Sequence, residues 1–442
     1  MGAIVILIAA VMEALFAVYS IKTKSDQKKS RSRMDIGIFA VFIILTLSSV
    51  IQWSFRWMLL AAILLVRAIT GALTIIRNKE DKQEHRKIHV LIKATSMWLL
   101  VAAAAIPALI FPQYKLPGVT GEHEVGTAVY TYTDNSRIEA FNDKGENRRI
   151  TVEFWYPEDT SGKYPLVVFS HGAFGIMASN TSTFKELASN GYVVCSVSHP
   201  YHSMYTIDAE GSFTKADQAF LQEVTDVNNG VCDQETVYKL SHKWLKLRTE
   251  DMNFVLDTII AATKVESPDL VYQLIDTGRI GLMGHSLGGA ASAQLGRERS
   301  DIKGVIDLDG SLVGDELDYK EGKYVINHDI YPVPILFVDT DTMKQAMAGV
   351  TDPDIEIPQE LILDTAPNAY EVYFRGTNHL SVTDLALFSP ALVKLINGST
   401  KENYGGQGAD KYQVIEKMNS IILEFFDASL KGEGRFTSEG TY

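Results

Sequence analysis

Four long apolar stretches in the first 115 residues constrain the fold more than any other feature of the sequence. They cover residues 2–21, 35–53, 57–76 and 88–111. Each is close to the roughly 20 residues that an α-helix needs to cross the hydrocarbon core of a bilayer. A helix also satisfies its backbone hydrogen bonds internally, which lipid cannot do for it. The sequence therefore predicts an all-α region of four transmembrane helices in residues 1–112.

The short loops between these stretches predict the orientation. Segment 22–33 carries six basic residues and one acidic residue, and segment 77–87 carries five basic and three acidic residues. Loops rich in Lys and Arg stay in the cytoplasm. Four crossings then leave both termini on the opposite side. We expect a multi-pass protein of the cell membrane whose later residues are extracytoplasmic.

Charge divides the chain at the same place. Residues 1–115 hold 15 Lys and Arg against 6 Asp and Glu, which leaves 26 basic and 48 acidic residues in 116–442. The acidic part offers no basic surface for a phosphate backbone, so we expect no nucleic-acid partner. The two cysteines allow a disulfide, but Cys195 lies in the apolar run "YVVCSVS" and is better interpreted as a buried free thiol.

After a linker at 113–124, apolar runs alternate with helical patterns through residues 125–442. Alternation of this kind predicts a mostly parallel sheet covered by helices on both faces. The polar segment 201–241 and segment 342–366 interrupt the alternation, and either is a candidate lid or rim. The predicted strands are "TVEFWYP", "PLVVFSHG", "YVVCSVSHP", "RIGLMGHS", "IKGVIDLDG", "VPILFVDTD" and "AYEVYFRG".

The run Gly284-His285-Ser286-Leu287-Gly288 lies between one of these strands and a helix of small residues. A G-x-S-x-G sequence in that context is typical of a nucleophile elbow, a sharp turn that exposes the serine hydroxyl at the edge of the sheet. The glycines leave room where neighbouring Cβ atoms would collide. Ser286 is therefore the predicted nucleophile.

A nucleophilic serine needs a general base and an acid that orients it. His379 follows the last predicted strand, which is the expected place of the base. Asp309 follows the strand after the elbow helix, while Asp339 and Asp341 follow the next one. The pattern alone does not choose between Asp309 and this pair.

The developing oxyanion needs two backbone N–H donors. One is predicted at Leu287, directly after the nucleophile, and the other at Ala173, after "VVFSHG", with Phe174 as the next choice. No cluster of His, Cys and carboxylate residues has the spacing of metal ligands, so we expect neither a metal nor a cofactor.

Several segments together resemble the platelet-activating-factor acetylhydrolases of the plasma, lipoprotein-associated phospholipase type. They are "PLVVFSHGAFG", "LASNGYVVCSVSHP", "GHSLGGA", "KGVIDLDG" and "FRGTNHLSVTDL", in that order. The resemblance implies an α/β-hydrolase fold, His379 as the base, and Ala173 and Leu287 as oxyanion donors. It also selects Asp309 as the acid, because the family carries its aspartate in an "LD" context after that strand.

We therefore expect a membrane-anchored serine ester hydrolase that cleaves short or oxidised acyl esters, including sn-2 acyl groups of phospholipids. The alternatives are a lipase-like or polyesterase-like carboxylesterase, an acyltransferase with the same triad, and a membrane sensor with an inactive hydrolase-like domain. The expected partners are a small-molecule or lipid ester and the bilayer itself. The sequence leaves the oligomeric state open.

Overall fold

The computed structural model describes residues 2–25, 27–78, 87–158, 162–399 and 408–442. The chain divides into two compact units. The first comprises Met1–Lys115 together with Phe388–Lys394, and the second comprises Leu116–Leu387 and Leu395–Tyr442.

The first unit is helical, as expected. Within the described residues, three of its helices contain segments long and apolar enough to cross a membrane, namely Ile6–Thr23, Phe55–Ile76 and Val90–Ile110. These findings indicate a membrane protein. Most of the basic loop 77–87 lies outside the described residues. The helices are α1 (Gly2–Thr23), α2 (Lys28–Leu47), α3 (Phe55–Ile76) and α4 (Lys87–Ile110).

The second helix differs from the predicted span at 35–53. Helix α2 starts in the basic segment at Lys28 and ends at Leu47, so residues 48–53 lie in a turn. Its uncharged part, residues 36–47, is about 18 Å long at about 1.5 Å per residue. The hydrocarbon core is about 30 Å thick. Helix α2 is therefore too short in its apolar part to match the other three.

Charged side chains inside the first unit neutralise one another. Glu13 is 2% exposed, and its Oε2 accepts a hydrogen bond of 2.9 Å from Arg67 Nη2. Arg67 also pairs with Asp35, and Arg31 pairs with Glu13. Two acids thus face two bases, which lowers the cost of charges among apolar helices.

Residues Phe388–Lys394 belong to the first unit, although the sequence placed them with the later part of the chain. The ring of Phe388 lies 4.9 Å from that of Phe111 and 5.5 Å from that of Tyr114. Ser389 Oγ donates a 2.6 Å hydrogen bond to the carbonyl oxygen of Ile110. Aromatic packing and this hydrogen bond explain why Phe388–Lys394 belong to the first unit.

The strands of the second unit, in the described part of the chain, are β1 (Val125–Ile138), β2 (Asn147–Pro157), β3 (Tyr164–Ser170), β4 (Val193–Val197), β5 (Tyr205–Ile207), β6 (Phe213–Lys215), β7 (Ile275–His285), β8 (Ile302–Leu308), β9 (Glu316–Lys320), β10 (Lys323–Ile326), β11 (Ile335–Thr340), β12 (Ala369–Phe374) and β13 (Gly440–Thr441). Nine of them form one sheet with the order β1-β2-β4-β3-β7-β8-β11-β12-β13. Strand β2 runs antiparallel to β1 and β4, and the other neighbouring pairs of this nine-stranded sheet are parallel. Strands β5 and β6 form a separate antiparallel pair, and so do β9 and β10.

Helices cover this sheet, and its middle strands are buried along almost their whole length, as their apolar sequences predict. The segment 201–241 forms the hairpin β5–β6, a helix at residues 218–228 and the start of a long helix that begins at residue 234, and the segment 342–366 forms two short helices. Cys195 is buried and free, as predicted, and Cys232 is also free. The remaining helices of the described residues, of which the end of α12 and the first half of α13 belong to the first unit, are α5 (Thr181–Ser189), α6 (Gln218–Asn228), α7 (Gln234–Ala262), α8 (Leu270–Gln273), α9 (Leu287–Glu298), α10 (Asp341–Ala348), α11 (Pro358–Thr365), α12 (Leu385–Phe388), α13 (Pro390–Ser399) and α14 (Lys411–Phe426).

Candidate active site

Ser286 lies in the turn between β7 and α9, where the sequence predicts a nucleophile elbow. Its backbone has φ 55° and ψ −125°, a conformation that non-glycine residues rarely adopt. A Cβ added at Gly284 would lie 2.1 Å from Gly288 C, and one added at Gly288 would lie 2.0 Å from Ser170 O. Only glycine fits at either position. The turn therefore has the geometry that its glycines predict.

His379 and Asp309 are brought together by the loops after β12 and β8. His379 Nδ1 lies 2.7 Å from Asp309 Oδ2, with the Asp309 side chain fully buried and that of His379 34% exposed. Thr340 holds the aspartate through its N–H at 2.6 Å and its hydroxyl at 2.9 Å. Because Nδ1 donates to a carboxylate, the neutral imidazole carries its proton there and leaves Nε2 free to accept one.

The other two aspartates considered for the acid are engaged elsewhere. Asp339 Oδ2 accepts a hydrogen bond of 2.8 Å from Gln359. Asp341 Oδ1 accepts hydrogen bonds from the Tyr373 hydroxyl at 2.6 Å and from Gly376 N–H at 3.0 Å. Of the three, Asp309 is the one that binds His379.

His285, inside the elbow, supports the loop of the histidine. Its Nε2 donates a hydrogen bond of 2.8 Å to the carbonyl oxygen of His379. Burial, with a smaller effect from nearby His379, lowers the pKa of His285 to about 3, so the ring stays neutral. The hydrogen bonds found among the described residues include none between Ser286 Oγ and His379. Such bonds are often long in a free enzyme and tighten when substrate binds.

The predicted oxyanion loop follows β3 and lies beside the serine. A Cβ added at Gly172 would lie 3.2 Å from Ser286 Cβ. The N–H of Phe174 donates to His202 O at 3.0 Å, so the alternative donor is already committed. Within the described part of the chain, the N–H groups of Ala173 and Leu287 have no hydrogen-bond partner. These two remain available to a ligand.

A buried polar network lies beneath this loop, and the sequence reasoning missed its most important member. Arg248 on α7 is fully buried and hydrogen-bonds to carbonyl groups of the oxyanion loop. Its position gave a signal, because Trp244, Arg248 and Met252 recur every four residues on the apolar face of the helix. Thr340, which holds Asp309, had no comparable signal.

The model of the family described as "Platelet-activating factor acetylhydrolase, isoform II" matches residues 141–437, which is well over half of the chain. The chain belongs to this family. The resemblance stated from the sequence is thereby confirmed.

Curated relatives agree with the family match. The chain is 23% identical over 256 residues to the platelet-activating factor acetylhydrolase of Gallus gallus, covering 52% of this chain and 55% of the relative. It is 26% identical over 210 residues to the enzyme of Cavia porcellus, covering 45% of each. A bis(hydroxyethyl) terephthalate hydrolase of Streptomyces coelicolor is 31% identical over 90 residues, covering 16% of this chain and 29% of that protein. The chain spans about half the length of the acetylhydrolases it matches.

A solved structure supports the fold. A ferulic acid esterase from Streptomyces cinnamoneus superimposes with a TM-score of 0.54 at 19% identity, covering 72% of this chain and 94% of the esterase. At that identity the likeness concerns the fold alone. Together with the sheet order, it confirms the predicted α/β-hydrolase fold of this member of the acetylhydrolase family.

Proposed function

We propose that the chain is a serine ester hydrolase in which Ser286 is the nucleophile, His379 the general base and Asp309 the acid that orients it. The observation that carries the proposal is the hydrogen bond of 2.7 Å between His379 Nδ1 and Asp309 Oδ2, at the sheet edge where the elbow exposes Ser286. Membership of the acetylhydrolase family supports the same reaction class.

The proposed reaction begins when Ser286 Oγ attacks the acyl carbonyl carbon and its proton passes to His379 Nε2. The N–H groups of Ala173 and Leu287 bind the resulting oxyanion. Collapse of this intermediate breaks the ester bond, and the leaving alcohol takes the proton from Nε2. A water molecule then attacks the acyl-serine, gives its proton to Nε2 and releases the acid, after which Ser286 regains its proton.

The proposed substrates are short or oxidised acyl esters, including sn-2 acyl groups of phospholipids. Several matched relatives are named platelet-activating factor acetylhydrolases, and another is named for a small terephthalate ester. The apolar helices of the first unit support anchoring in a bilayer, which would keep the enzyme near lipid esters.

The experiment that tests this proposal uses the full chain in detergent micelles, as wild type and as Ser286→Ala. The rate of hydrolysis is measured on esters from acetyl to palmitoyl, including sn-2 short-chain phospholipids. The expected result is turnover confined to short acyl groups and abolished in Ser286→Ala. Ser300→Ala, at an exposed serine after α9, serves as the matched control and should remain fully active. Preference for long chains would make the enzyme a lipase, and no hydrolysis by the wild type would contradict the proposal.

We further propose that the second unit faces away from the cytoplasm, as the basic loops predict. Both basic loops lie in the cytoplasm only if α2 crosses the bilayer as well, since three crossings would place the two loops on opposite sides of the membrane. Labelling of exposed lysines such as Lys246 with an impermeant amine reagent on intact cells measures the side directly. Labelling only after lysis would contradict the proposed orientation.

A further inference from the structure

We propose that Arg248 is a positioning residue of this reaction: its guanidinium fixes and polarises the Gly172–Ala173 peptide, whose N–H stabilises the oxyanion. The inference rests on the proposed function, because it depends on the role assigned there to Ala173.

Arg248 is fully buried and binds two consecutive carbonyl groups of the oxyanion loop. Its Nη1 donates to His171 O at 2.7 Å, and its Nη2 donates to Gly172 O at 3.3 Å. Gly172 O also accepts hydrogen bonds from His171 Nδ1 at 2.7 Å and from Gly175 N–H at 3.0 Å. One carbonyl oxygen thus accepts from three donors, one of which is a cation.

These three hydrogen bonds to Gly172 O also affect the N–H of Ala173, which belongs to the same peptide group. A trans peptide is planar, and its N–H points opposite to its C=O. Holding Gly172 O towards Arg248 therefore directs the N–H of Ala173 away from the guanidinium. Hydrogen bonds to a carbonyl oxygen also polarise the amide and strengthen its N–H as a donor. The loop adjoins Ser286, so the direction of this N–H is set next to the reacting atoms.

The charge of Arg248 is not cancelled by a direct ion pair. Among the described residues, no carboxylate lies within salt-bridge distance of it. The nearby acid Asp251 is engaged by Arg148 at 2.7 Å and by Arg137 at 3.0 Å. Burial lowers the pKa of Arg248 to about 9, which still leaves the guanidinium protonated at neutral pH.

A buried cation without a contacting counter-ion reduces stability, so packing alone does not explain its presence. An uncancelled positive charge behind the oxyanion donor is useful at the moment when negative charge develops on the substrate. Electrostatic assistance of that kind acts on the transition state more than on the bound substrate. Arg248 should therefore influence kcat more than KM.

The test compares full-length wild type with Arg248→Gln, which retains an N–H donor but not the charge. We expect Arg248→Gln to remain folded and to lose kcat by about 10- to 100-fold, a smaller loss than removal of a whole oxyanion donor causes. KM should change by no more than about twofold, while the affinity for an alkyl boronic acid, which forms a tetrahedral adduct on Ser286, should fall in parallel with kcat. Arg248→Lys keeps the charge and should recover part of the loss. Lys246→Gln, at an exposed position on the same helix, should behave as wild type.

Wild-type kcat in Arg248→Gln would overturn the inference. So would a loss of kcat accompanied by a lower thermal midpoint and unchanged boronate affinity, because that pattern belongs to a structural role.

A second measurement does not depend on the substrate. In labelling by a fluorophosphonate, Ser286 Oγ bonds to phosphorus, fluoride leaves, and the proton passes to His379 while a phosphoryl oxygen occupies the oxyanion site. Slower labelling in Arg248→Gln supports the inference even if no tested ester is hydrolysed, a result that would count against the proposed function alone. Equal labelling rates overturn the inference and leave the proposed function intact. Absence of labelling in the wild type would overturn both.

Discussion

Replacement of Gly288 by alanine tests whether the elbow positions the oxyanion loop. A Cβ at Gly288 would lie 2.0 Å from Ser170 O, 2.5 Å from Ser170 C and 2.8 Å from His171 O. All three are backbone atoms at the end of β3, so no side chain can swing away to relieve the contact. Since real Cβ atoms essentially never approach closer than 3.0 Å, the elbow and β3 must separate by about 1 Å.

The separation should cost both stability and activity. Overpacking of this size typically costs about 1–3 kcal/mol of the free energy of unfolding. A displacement of about 1 Å between catalytic groups can lower the rate about 100-fold. His171 O is among the atoms displaced, and it belongs to the segment that carries the Ala173 donor.

The assay is kcat/KM on a short-chain ester, together with the thermal midpoint of the full chain in micelles. Gly118→Ala is the control, because a Cβ there would meet nothing within 4 Å. We expect Gly118→Ala to match the wild type and Gly288→Ala to lose about 100-fold in kcat/KM. A Gly288→Ala enzyme with wild-type kcat/KM would refute the reasoning, since the elbow could then move without disturbing the site.

Three further predictions concern the support of the site. Thr340→Val removes the 2.9 Å hydrogen bond from the hydroxyl to Asp309 and should lower kcat about tenfold, equivalent to about 1.5 kcal/mol for a hydrogen bond to a charged group. Thr340→Ser keeps the hydroxyl and should retain the wild-type kcat. A wild-type kcat in Thr340→Val would contradict the prediction. Burial lowers the pKa of His285 and of His199 to about 3 in the folded protein, so the unfolded chain binds more protons than the folded chain as the pH falls below about 6.5. Each of the two histidines should therefore lower the free energy of unfolding by about 2 kcal/mol at pH 5. Equal urea midpoints at pH 7 and pH 5 would contradict this prediction. Burial, with the charges of Asp339 and Asp309, raises the pKa of Asp307 well above its usual range, so ionisation of this side chain destabilises the fold as the pH rises. Asp307→Asn should therefore unfold at a higher urea concentration than the wild type at pH 7 but not at pH 4. A lower urea midpoint of the variant at pH 7 would be inconsistent with this reasoning.

Local pattern was enough to predict the elbow and seven of the nine strands of the main sheet. The elbow depends on five consecutive residues whose glycines are required by contacts inside the turn, and those contacts are present around Gly284 and Gly288. Local pattern was not enough to identify the acid that orients His379. Asp309 is 70 residues from His379, and its advantage over Asp339 and Asp341 depends on which side chain reaches the imidazole. Without the resemblance to a family, the sequence did not decide it.

The ends of α2 and the burial of Arg248 were not predicted from the sequence, for physical reasons. A hydropathy pattern shows where apolar residues are concentrated but not where a helix begins. The prediction for α2 was therefore wrong at both ends: the helix starts in the basic segment and ends earlier than predicted. Arg248 was overlooked because a charged residue in an amphipathic helix is usually exposed. Its place on the face of Trp244 and Met252 was the available clue.

The strained backbone at the site bears on how the protein is made. Ser286, Asp309 and Phe174 all have φ between 55° and 58°, each in a loop at the end of a different strand. Such conformations persist only where the surrounding structure imposes them. His379 is also synthesised 93 residues after Ser286, which takes roughly 5–20 s at about 5–20 residues per second. During that interval Ser286 has already been made, but the histidine proposed to activate it has not. The proposed ester hydrolase activity therefore cannot arise until the last strands and the loop that carries His379 have been made.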